Sequence, residues 1–249
     1  MKSITSAFIA ILILSDTSIC DAVDLCHEYG QKKEYDQQIT ACTEAIKSNR
    51  PNPHIDYTNR GIGYAHKGLF NEALAEFNKA LELNSNFALA YVSRGYVYSE
   101  KGLYDKAITD FTKAIELNPR DDLAFTNRGW AYFSRKEYDL ALADYSAAIG
   151  LNANNALAYS NRGIIFQRKK MPERALADFK KAIDVNPKFI DANYNLACFF
   201  SLNNSADEAC KWLRNSIEAG FSNWSHIKND PDLDNIRKTP CYKKLMSGR

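Results

Sequence analysis

Small and aromatic residues recur along this chain at a constant spacing of 34 positions, with polar residues filling the intervals. Counting position 1 at His54, Ala88, Asp122, Ala156 and Ile190, position 4 is Tyr57, Tyr91, Phe125 and Tyr159. Position 8 is Gly61, Gly95, Gly129 and Gly163, then Ala197, and position 11 is Tyr64, Tyr98, Tyr132, Phe166 and Phe200. Position 20 is always alanine (Ala73, Ala107, Ala141, Ala175, Ala209), position 24 is Phe77, Phe111, Tyr145, Phe179 and Leu213, and position 27 is Ala80, Ala114, Ala148, Ala182 and Ser216. Positions 4, 8 and 11 share one face of a helix, and 20, 24 and 27 share one face of a second. The pattern therefore predicts an antiparallel helix pair per unit, with small residues admitting close approach and rings filling the space around it. Gly68 and Gly102 at position 15 suit the turn within a unit, and Asn118-Pro119 and Asn186-Pro187 suit the turn between units. One pair cannot bury such a face alone, so the units must stack.

This pattern resembles the tetratricopeptide repeat, a 34-residue helix pair with glycine and tyrosine in its first helix and alanine and phenylalanine in its second. The resemblance covers five units in register, at 54–87, 88–121, 122–155, 156–189 and 190–223. A degenerate first unit at 23–53 keeps Tyr35-Asp36 and Ala45-Ile46, while Cys26 and Cys42 replace the usual glycine and phenylalanine. The resemblance implies an all-α fold, a right-handed α-solenoid of stacked antiparallel helix pairs. Beyond residue 223 the period stops, and Asp230-Pro231-Asp232-Leu233, Ile236-Arg237 and Pro240-Cys241-Tyr242 predict short helices in 224–249 that cap the last unit's apolar end. Similar endings occur in bacterial members of the family, which favours an exported bacterial protein.

Composition changes the picture at the ends. Lys2 precedes a continuous apolar stretch from Ala7 to Leu14, too short for the roughly 20 residues of a membrane-spanning helix. Residues 1–22 read as a secretory signal peptide cleaved near Cys20 to Ala22, with an uncleaved anchor or a lipoprotein modified at Cys20 as rivals. Ile19 opposes the lipoprotein reading, because a small residue is expected there. Export to a periplasm or the exterior leaves no membrane span and fits the six cysteines. Cys26 and Cys42 fall on the two helices of the first unit, where a disulfide would contribute roughly 3 kcal/mol in the chain-entropy model. Cys198, Cys210 and Cys241 are an odd set, leaving at least one thiol free. The net charge of +2 supplies no basic stripe, so nucleic acid is not an expected partner.

Position 7, ordinarily leucine in the family, is Arg60, Arg94, Arg128 and Arg162. Position 23 is acidic in the same four units: Glu76, Asp110, Asp144 and Asp178. The last unit has Leu196 and Trp212 at these places, and the first has Leu25 and Ala41, so arginine and acid come and go together. That covariation predicts structural pairs Arg60–Glu76, Arg94–Asp110, Arg128–Asp144 and Arg162–Asp178, against the alternative that duplication copied both residues without contact.

The opposite face of each first helix lines the concave groove in this family, and there the resemblance places a bound protein or peptide. Position 9 is Ile62, Tyr96, Trp130, Ile164 and Cys198, and position 12 includes Phe133. Position 6 offers Asn59, Asn127, Asn161 and Asn195, amides that can both donate to and accept from a peptide backbone. Lysine is missing from position 5 (Thr58, Val92, Thr126, Ser160), which disfavours the family's carboxylate clamp for chaperone tails. Catalysis is poorly supported. His27, His54, His66 and His226 share no metal-ligand spacing, Gly61-Ile62-Gly63 lacks the context of a phosphate loop, and Asp121-Asp122 reads as a helix cap. No cofactor or metal is expected. Asn203-Asn204-Ser205 and Asn223-Trp224-Ser225 match the glycosylation pattern, which matters only in a eukaryotic secretory pathway. The expected function is a non-catalytic, exported binding scaffold or adaptor. The rivals are a small enzyme or ligand sensor with its site in the C-terminal tail, and self-association through the first or last unit.

Overall fold

The computed structural model describes residues 23–48 and 51–247, so the candidate signal peptide lies outside the described residues. All regular structure among them is helical. The first helix of each pair is α1 (Val23–Gln31), α3 (Pro53–His66), α5 (Ala88–Glu100), α7 (Asp122–Ser134), α9 (Ala156–Arg168) and α11 (Ile190–Leu202). The second is α2 (Tyr35–Lys47), α4 (Phe70–Leu83), α6 (Tyr104–Leu117), α8 (Tyr138–Leu151), α10 (Pro172–Val185) and α12 (Ala206–Glu218). Two short helices, α13 (Trp224–Asn229) and α14 (Pro240–Met246), and a 3-10 turn at Pro231–Leu233 end the chain. The chain divides into two compact units within α8, after residue 140.

In the N-terminal unit α1 to α7 pack in sequence, each second helix lying against the first helix that follows, and α3, α5 and α7 are neighbours. In the C-terminal unit α9 to α12 repeat the arrangement, with α9 beside α11. Each unit is thus a stack of helix pairs, the construction of an α-solenoid. The pairing contact explains the glycine at position 8. A Cβ on Gly95 would stand 2.8 Å from the ring of Phe111, and the same holds for Gly61 on Phe77 and Gly163 on Phe179 at 2.6 and 2.7 Å. The rings and the alanines at position 20 are wholly buried. In the first pair the corresponding contact, again sixteen residues apart, is the Cys26–Cys42 disulfide, with Cα atoms 4.9 Å apart. A second disulfide, Cys210–Cys241, ties α12 to α14 across 6.1 Å between Cα atoms, and Cys198 remains a buried thiol.

The turns show what the sequence pattern alone underestimates. Gly68 and Gly102 have φ of 75° and 72°, yet Lys136, Lys170 and Asn204 adopt the same left-handed geometry at position 15, with φ of 65°, 58° and 57°. All five close the helix in one way. In the fourth full unit, for example, Lys170 N–H donates to the Gln167 carbonyl and Met171 N–H to that of Phe166, the paired bonds of a Schellman cap. Between units the constant residue is asparagine rather than proline: Asn84, Asn118, Asn152 and Asn186 each accept on Oδ1 the N–H two residues on. Pro119 and Pro187 only reinforce two of those four turns.

A lysine held at positive φ carries roughly 1–2 kcal/mol of strain that glycine lacks, offset in part by glycine's greater unfolded-state entropy. Lys170→Gly should therefore raise stability by about 0.5–1 kcal/mol, read as a higher midpoint in chemical denaturation, with Gly102→Lys shifting it the other way.

Candidate functional site

The position-7 arginines sit where three helices converge. Arg94 donates through Nε and Nη2 to Asp110 of its own pair, at 2.8 and 2.7 Å, and through Nη1 to Asn78 Oδ1 of the preceding pair, at 2.7 Å. Arg162 does the same with Asp178 (2.8 and 2.9 Å) and Ser146 (3.1 Å), and Arg60 with Glu76 and Thr43. Arg128 Nη1 reaches Thr112 of the preceding pair at 3.1 Å, and Asp144 is buried in α8. Each guanidinium also lies over the position-4 ring, 5.4 to 5.7 Å from Tyr57, Tyr91, Phe125 and Tyr159. The ring at position 11 flanks three of them, as Tyr98, Tyr132 and Phe166. Bidentate pairing, a third hydrogen bond and aromatic flanks together use the planar fork of arginine, which lysine could not reproduce.

The acceptor in the preceding pair was not anticipated, yet its signal lies in the sequence. Position 25 is Asn78, Thr112 and Ser146, then Lys180 in the one full unit whose successor lacks the arginine. In that successor Leu196 is buried and joins Trp212, Phe179 and Phe199 in an apolar cluster, so the last pair uses an apolar version of the same junction.

On the other face of the first helices the candidate residues separate by burial. In the N-terminal unit Ile62 belongs to the cluster of Ala73, Phe77 and Val97, with Tyr96 half-buried against it. Trp130 is half-buried with its ring 5.8 Å from that of Tyr104, and Phe133 lies 5.7 Å from Tyr138. Asn59 is only 8% exposed, whereas Asn127 is half-buried. Burial, assisted by the charge of Glu100, pushes the Tyr96 phenol up to about 12. In the C-terminal unit Asn161 is 6% exposed beside the buried Tyr145 hydroxyl, Ile164 packs on the Phe179 cluster, and Asn195 Nδ2 donates to Ser160 Oγ at 3.0 Å.

The end of that row is covered by the chain itself. At positions 5, 9 and 12 of the last pair stand Tyr194, Cys198 and Ser201. Tyr194 Oη donates to Asp230 Oδ2 at 2.7 Å, Cys198 Sγ stands 3.9 Å from the same oxygen, and Asn235 Nδ2 donates to the Ser201 carbonyl at 3.0 Å. Ile227, Leu233 and Ile236 are fully buried against Tyr194, Ala197 and Leu213. Burial, with Asp230 and Asp232 adding to it, raises the Cys198 thiol well above its ordinary range, so it stays protonated and a poor nucleophile. Asp121 accepts the N–H groups of Leu123 and Ala124 as the cap of α7. Among the described residues no cluster of His, Cys, Asp and Glu could hold a metal ion, and no helix is long and apolar enough to cross a membrane.

Because Asp110 is buried, Arg94→Leu should cost about 2 kcal/mol, between the values for exposed and fully buried pairs. Adding Asp110→Leu should recover at least half of it, as the natural Leu196–Trp212 junction suggests. Denaturant midpoints of both single variants and the double variant read the coupling, and simple additivity would refute it.

Models of the tetratricopeptide repeat match at 88–121 and 156–189, at 63–102 and 129–170, and at 111–143 and 179–211, covering 63–211 without a gap. Among solved structures, YrrB, described as a TPR protein with an unusual peptide-binding site, is 29% identical with a TM-score of 0.54, covering 72% of this chain and 92% of its own. MamA is 26% identical with a TM-score of 0.55, covering 64% and 93%. A chloroplastic protein of Arabidopsis thaliana is 31% identical over 55 residues, 22% of this chain but only 16% of that protein. With the period, the helix pairs and these matches in agreement, the chain belongs to the tetratricopeptide repeat family.

Proposed function

We propose that this protein is an exported, non-catalytic adaptor that holds an extended segment of a partner protein in the groove face of its first helices. The observation that carries the reading is the pair of half-buried rings, Tyr96 and Trp130, presented by neighbouring α5 and α7 at the same repeat position. Partly exposed aromatics on a rigid support are the usual anchors of protein recognition. Asn127 adds an amide beside them. YrrB supports the reading as a relative described with a peptide-binding site. Export is supported by the Cys26–Cys42 and Cys210–Cys241 bridges, which suit an oxidising compartment, and by the apolar N-terminal stretch.

The tail is better read as a cap than as an enzyme's site, since its apolar residues are spent on burying the end of α11 and α12. Deleting residues 224–249 should make the oxidised protein aggregate or lose cooperative unfolding in its C-terminal unit. A truncated protein that stays monomeric and folded would revive the enzyme reading. For the groove, Trp130→Ala should weaken binding of degenerate peptide pools by about tenfold or more, the scale of an aromatic anchor, with unchanged helical content. Equal binding by wild type and variant would overturn it.

A further inference from the structure

The outward side of α8 departs from that of the other second helices. Positions 19, 26 and 29 are charged in its full-length neighbours: Glu72, Lys79 and Glu82 in α4, Lys106, Lys113 and Glu116 in α6, Arg174, Lys181 and Asp184 in α10. In α4 and α6 the last two form ion pairs, Lys79–Glu82 at 2.9 Å and Lys113–Glu116 at 3.1 Å. In α8 the three are Leu140, Ala147 and Gly150, with Ala143 and Leu151 beside them. Leu140 is 49% and Leu151 42% exposed, and Asp139 is the only charged residue at the exposed positions of this helix. Exposed leucines are ordinary when scattered, as Leu83 is. Bracketing a stripe stripped of its charges, they form an apolar patch.

Gly150 has no purpose inside the chain. Gly61, Gly95 and Gly163 make room for a ring, whereas a Cβ on Gly150 would meet nothing within 4 Å. A helical glycine is destabilising relative to alanine, so this one points to a surface that approaches from outside. Leu140 and Leu151 stand eleven positions apart, close to three turns, and therefore share one edge of the helix. That spacing makes the face self-complementary. An antiparallel copy centred between Tyr145 and Ser146 sets each leucine on the other leucine of its partner. It also brings the two Ala147 side chains together near the two-fold axis and holds the two Asp139 carboxylates at opposite ends. A parallel copy would stack Asp139 on Asp139.

We propose that this protein forms a two-fold dimer through the outward face of α8, packed antiparallel on α8 of a second copy. The contact is independent of the groove reading.

Sedimentation of the oxidised full chain over a wide concentration range should show a reversible monomer–dimer equilibrium. Ala147→Lys and Ala147→Glu each set like charges across the axis and should weaken the dimer by about tenfold or more. Their helical content should not change, because α4, α6 and α10 already carry lysine at that position. Mixed in equal amounts, the two variants should recover dimer as the mixed species. Gly150→Ala should weaken association while raising the thermal midpoint of the monomer. A chain that stays monomeric at every concentration overturns the proposal, as does association left unchanged by Ala147→Lys or a mixture that recovers nothing. Loss of a different bound protein on Ala147→Lys, from a chain that remains monomeric, would make that protein the occupant and overturn it too.

Discussion

The guanidinium at position 7 joins what would otherwise be separate helix pairs. Within a pair, ring and glycine already meet. Between pairs, contact depends on surfaces that no single unit completes. Arg94 crosses that seam, bound to Asp110 on one side and Asn78 on the other, with Tyr91 and Tyr98 shielding it from water. Its charge is tolerated because the carboxylate, the amide and the rings replace the hydration that is lost. Removing the guanidinium leaves the buried Asp110 carboxylate without its bidentate partner, so the pair behaves as a unit rather than as two separate contacts.

The ends of the array solve a different problem. An inner pair has neighbours on both sides, whereas a terminal pair exposes one apolar face. At the N-terminal end the Gly–ring contact is replaced by the Cys26–Cys42 bond, which holds a pair that lacks the usual large ring. At the C-terminal end the arginine is absent, the junction becomes Leu196 and Trp212, and a tail fastened by Cys210–Cys241 covers the remaining surface. Both staples stand in the outermost parts of the described array, where a helix pair has the fewest neighbours to pack against.

In the N-terminal unit the groove face keeps Tyr96, Asn127 and Trp130 half-buried although Ile62 and Asn59 pack inward, whereas the end of the C-terminal row is covered by the tail. Tyr96 and Trp130 stand on α5 and α7, the helices that carry Arg94 and Arg128. At the last pair Asp230 and Asn235 already occupy the equivalent positions. The ligand-bearing surface proposed above therefore draws on α5 and α7, where Tyr96 and Trp130 are incompletely covered.

Period, helix pairing, the turn within each unit and the arginine–acid covariation were all legible in the sequence, because they depend on which residue types recur at which interval. The position-25 acceptors were equally written there, but a hydroxyl or amide on a helix surface looks like ordinary solvation until a donor is seen to reach it. The inter-unit asparagine was hidden behind the more conspicuous prolines. Other features had no local signature. That Asn59 and Asn161 turn inward while Asn127 keeps some exposure depends on neighbouring side chains, not on the shared position. The choice of Cys241 for Cys210, and the seating of Asp230 on Tyr194, join residues of the last unit to partners 31 and 36 positions further on in the aperiodic tail. Periodic order is a property of the chain and can be read from it. Which atoms fill the remaining space is decided only when the packed helices set the distances between them.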